Sequence, residues 1–154
     1  MTALNRIPED SLILICDSRK ALFLANTGTP VHPSLRTLEH VEAPNTAAEN
    51  ADRPGRRYDG GATNAGFHAR SAMEATDPKK ERAAEFAAIL SDRLAGDHRD
   101  GSFAHLIIAA PPEFLGMLRD ALSPEVSRTV VAEIPKRLID TPVADIAAKL
   151  IQER

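Results

Sequence analysis

The chain predicts an α/β domain built on a mixed five-stranded sheet with helices on both faces. Three observations carry this. Short apolar or β-branched runs of strand length recur at 11–16, 105–110 and 128–134. Between the later runs lie longer stretches with one-sided apolar stripes at helical spacing. The candidate strands of the first third, by contrast, follow one another with short links, as in an antiparallel meander. At 154 residues and 43% hydrophobic, the chain reads as a single domain, 1–154, large enough to bury a real core. With five phenylalanines, one tyrosine and no tryptophan, that core must come from Leu, Ile, Val and Ala.

Taken in order, SLILIC (11–16) is continuously apolar and ends at the turn-forming Asp17-Ser18. A run this short and this apolar belongs to a strand buried on both faces, the natural centre of the sheet. KALFLAN (20–26) is the second strand, and Asp17–Arg19 is short enough to make the pair a hairpin. Asn26-Thr27-Gly28-Thr29-Pro30 is turn chemistry. Leu35–Val41 alternates, with Leu35, Thr37, Glu39 and Val41 on one side and Arg36, Leu38 and His40 on the other, as expected of an edge strand.

Asp77-Pro78 opens a helix, Asp77 as N-cap and Pro78 at the first helical position. Its apolar stripe is Ala83, Phe86, Ala87, Leu90 and Leu94, and Gly96 is the expected residue just past its end. HLIIAA (105–110) is a fourth strand. Pro111-Pro112 ends it and begins a helix with the stripe Phe114, Leu115, Leu118 and Leu122, broken at Ser123-Pro124. Arg128–Ile134 is the fifth strand. Thr141 caps a last helix with Pro142 at its first position and Val143, Ile146, Ala147 and Leu150 inward. The order β-β-β-α-β-α-β-α, with parallel pairing in the second half, predicts strand order 3-2-1-4-5 and a ribonuclease-H-like arrangement.

One stretch, about 44–76, has no sustained apolar period. Loops beyond about 12–15 residues in compact domains tend to be functional or disordered. Within it Arg53, Arg56, Arg57 and Arg70 are offset by Asp59 alone, and Tyr58, Phe67 and His68 interleave with them. Guanidinium forks bind phosphate bidentately, and aromatic rings stack on exposed bases. Gly60-Gly61 permits positive φ and close backbone approach to a ligand. Arg53, Arg56, Arg57, Gly60, Gly61 and Arg70 are therefore the candidate contact residues for RNA or phosphate, set against the plain reading of a solvated loop.

Other chemistries find little support. A two-metal nuclease needs converging carboxylates. Asp17 ends the first strand, but the fourth ends in Ala109-Ala110-Pro111, and Glu81 and Glu85 read as solvated helix residues. Asp17 reads first as a turn residue bonding its own backbone. The five histidines show no tight metal spacing. His32, His40 and His98 read as surface residues, and His105 as a hydrogen-bonded residue at a strand start. No nucleophile elbow, phosphate loop or dinucleotide fingerprint is present, and Cys16 reads as a small core residue. No catalytic residue, metal ligand or cofactor is assigned. One cysteine offers no internal disulfide, no apolar run approaches the ~18 residues of a membrane span, and MTALNRIPED lacks the apolar region of a secretory signal. The expected compartment is the cytoplasm.

The ordered set ILICDSRKALFLAN, PGRRYDGG, TDPKKERAAEFAAILSDRL, HLIIAAPPEFLGMLRDAL and VVAEIPKRLIDTP resembles the bacterial host-attachment protein family over nearly the whole chain. It departs from the family's pattern at Ser18-Arg19-Lys20, where a glycine-bearing turn is expected. That family is similar to the middle domain of the class I peptide release factors of eukaryotes and archaea, whose Gly-Gly-Gln loop promotes hydrolysis of peptidyl-tRNA. Here the comparable loop holds Gly60-Gly61-Ala62, without the glutamine. The resemblance implies a non-enzymatic, release-factor-like factor that contacts the ribosome or structured RNA. It leaves two alternatives: a protein–protein interaction factor needed for host attachment, and a peptidyl-tRNA ester hydrolase with a degenerate Gly-Gly-Ala loop. A homodimer through the edge strand 35–41 is open.

Overall fold

The computed structural model describes residues 4–44 and 77–151. Five strands, β1 (Ser11–Cys16), β2 (Lys20–Asn26), β3 (Leu35–Glu42), β4 (His105–Ala109) and β5 (Val130–Ile134), form one mixed sheet in the order β3-β2-β1-β4-β5. The helices are α1 (Pro78–Arg99), α2 (Pro112–Ala121), α3 (Pro124–Ser127) and α4 (Val143–Leu150). The first three strands pair antiparallel, and β4 is parallel to both β1 and β5. The chain divides into two units, one of Met1–Ala43 with Arg82–Arg154, the other of Pro44–Glu81. The sheet and both cores belong to the first.

All six residues of β1 are buried, as a central strand between two apolar layers requires. Its alternate residues feed opposite cores. Leu12, Leu14 and Cys16 join Phe86, Leu90 and Leu94 of α1 and Phe114, Leu115 and Leu118 of α2. Ile13 and Ile15 join Ile146 and Leu150 of α4, with Ile7 and Leu138. β4 does the same with Leu106 and Ile108 on one side and Ile107 and Ala109 on the other. The predicted stripes of α1 and α4 thus face inward. Ser91 adds a buried polar contact to α1, its hydroxyl donating to the Ala121 carbonyl at 2.7 Å.

Several expectations change in detail. α1 does not stop at Gly96 but runs on to Arg99. Two residues past its end, after Asp100, stands Gly101, at φ +75°; its N–H donates to the His98 carbonyl and that of Ser102 to Asp97, the paired bonds of a Schellman cap. Ser123-Pro124 is more than a break: Ser123 caps the short α3, accepting from the Val126 N–H at 3.3 Å. α4 starts one residue later than expected, with Pro142 rather than Thr141 at the cap position and no side-chain cap bond. β5 starts at Val130, because Arg128 and Thr129 close the α3 turn.

β3 departs most. Phe23 faces Glu39 but Leu24 faces Thr37, so Leu38 is an extra, bulged residue. The bulge reverses the face parity along the strand. Leu35 packs on the α4 side and Val41 on the α1 side, instead of sharing a face. Leu38 itself is 47% exposed.

Candidate functional site

The β1–β2 hairpin closes without glycine. Asp17 Oδ1 accepts the N–H groups of Arg19 at 2.8 Å and Lys20 at 2.9 Å, while the Asp17 N–H donates to the Lys20 carbonyl. The side chain takes over the turn's loose donors, and no residue of the turn adopts positive φ. Asp17 is 6% exposed. Its second oxygen accepts from Arg137 at 3.1 Å, across 120 residues of sequence. Arg137 also donates to Asp140 at 2.5 Å, and Lys20 lies 3.6 Å from the same carboxylate. Arg137 holds the Asp140 carboxyl below the usual carboxylate range, and Lys20 adds to this.

These groups occupy the end of the sheet where β1, β4 and β5 finish, the end at which open α/β sheets present their crevices. β3 runs the same way as β1, and it too finishes here. The Arg19 carbonyl accepts the Ala43 N–H at 2.8 Å. Ala43 is the last residue of the sheet-bearing unit before Pro44. One buried carboxylate therefore sits behind the peptide on which the chain's departure point is hung.

This arrangement settles the expectations for Asp17. It is the turn residue anticipated, with its oxygens engaged by two amides and a guanidinium. Among the described residues no group of three or more His, Cys, Asp or Glu is placed to hold a metal ion. Cys16 is fully buried, and burial pushes its thiol well up, with the Asp17 charge adding to the effect. His32 and His40 are exposed. His98 is instead half-buried, its ring 5.9 Å from that of Phe103. His105 is hydrogen-bonded at the strand start through its backbone, its N–H donating to the Asp10 carbonyl at 3.3 Å, while its ring Nδ1 is buried without a partner among the described residues. The candidate contact residues Arg53, Arg56, Arg57, Gly60, Gly61 and Arg70, with Tyr58, Ala62, Phe67 and His68, lie outside the described residues.

Sequence reasoning did not single out Arg137, Asp140 or Lys20. No local pattern links them to Asp17; only the strand order does. The same holds for Arg93, which pairs with Glu39 and Asp97 and lies 5.2 Å over the Phe23 ring. Arg119 similarly ties α2 to Glu133 of β5.

Fold and sheet order define a ribonuclease-H-like mixed α/β protein. Residues 10–150 match the sequence pattern of a family described as bacterial archaeo-eukaryotic release factor family 12, and the chain belongs to that family. No curated protein matches the chain. Among the described residues no helix is long and apolar enough to cross a membrane.

Proposed function

We propose that this chain is a non-enzymatic, release-factor-like factor that contacts the ribosome or a structured RNA through its 53–70 segment. The observation that carries the reading is the family match over 10–150, which includes the whole basic stretch. Arg53, Arg56, Arg57 and Arg70 supply forks for phosphate, and Gly60-Gly61 lets the backbone approach it. Ala62 stands where the release factors' loop carries a glutamine, so water-activating chemistry is not assigned to it. The host-attachment phenotype of the family it resembles would then follow indirectly, from an effect on translation.

The test is co-sedimentation with ribosomal subunits over a salt series. Phosphate contacts release counterions, so retention should fall steeply as salt rises. Arg56→Ala with Arg57→Ala should weaken retention and flatten the salt dependence without unfolding the chain. Salt-independent retention, or none, would overturn the reading. Surface display on intact cells would favour a protein-contacting role, and peptidyl-tRNA hydrolysis on ribosomes would restore the enzymatic one.

A further inference from the structure

We draw no further inference here: the strongest candidate, the surface patch at the tip of the β2–β3 loop, where Val31 stands 64% exposed on a backbone that the buried Asn26 ties to Ile7, Gly28, Thr29 and Ser34, is an apolar surface for which nothing in the structure shows what covers it.

Discussion

At the scale of single residues, what a side chain does here depends on its partner more than on its type. Asp17 and Glu39 are both carboxylates on strand ends or edges, yet one is a buried turn clamp and the other a surface partner of Arg93. The hydrogen bond from Arg93 pulls the Glu39 carboxyl below its ordinary range. A carboxyl depressed in the folded state contributes stability above its unfolded pKa and loses it as pH falls through the folded value. The stability difference between wild type and Glu39→Gln should therefore be constant at neutral pH and shrink on acidification. With both side chains about two-fifths exposed, solvent screening holds it below about 1 kcal/mol. Denaturant titrations at several pH values measure it; a difference that grows toward acid would refute the assignment. Asp17 was legible as a turn residue because the Asx turn is local. Its link to Arg137 was not, since nothing within a few residues of either encodes a contact that only the fold creates.

At the scale of elements, boundaries show where local signals compete. Gly96 and Gly101 both offered an end to α1. The helix passes Gly96 because Asp97, His98 and Arg99 continue it to a Schellman cap that needs the left-handed residue at Gly101. The two glycines should respond oppositely to alanine. Gly96→Ala sits in the helix interior with Arg99 Nη2 the nearest atom, at 3.9 Å, and should stabilise by about 0.5–1 kcal/mol. Gly101→Ala meets no steric neighbour within 4 Å but must hold positive φ, at a cost of about 1–2 kcal/mol. Thermal unfolding of the pair separates them, and a shared sign would mean the cap is misassigned. The strands were readable because continuous apolarity marks β1 and β4 and glycine or proline punctuates their ends. The register of β3 was not, since a strict period of two cannot announce a bulge.

At the scale of the molecule, β1 supplies both cores, and that couples them. Ile13 and Leu14 are neighbours in sequence, both fully buried, and face opposite helical layers. Either residue changed to alanine should cost about 2–5 kcal/mol. Each should lower the protection of amides on both sides of the sheet, in β4 beside the strand and in α1 and α4 above and below. Circular dichroism and amide exchange check this; loss confined to one layer would show that the two cores unfold separately. The strand order was legible because crossover rules leave few topologies once the elements are known. The candidate contact residues were legible only as composition, since four arginines and a glycine pair state a chemistry without a geometry. The bulge at Leu38 has its consequence at this scale too. Among the described strands β3 is an outer edge, eight residues long, and an unbroken edge of that length is a template on which another chain can polymerise. The extra residue interrupts the row of backbone groups halfway along, and Arg36 and Glu42 put charge near its two ends. The surplus leucine is in this light a guard for solubility, and a chain engineered to straighten that strand would be trading a tidier sheet for a propensity to aggregate.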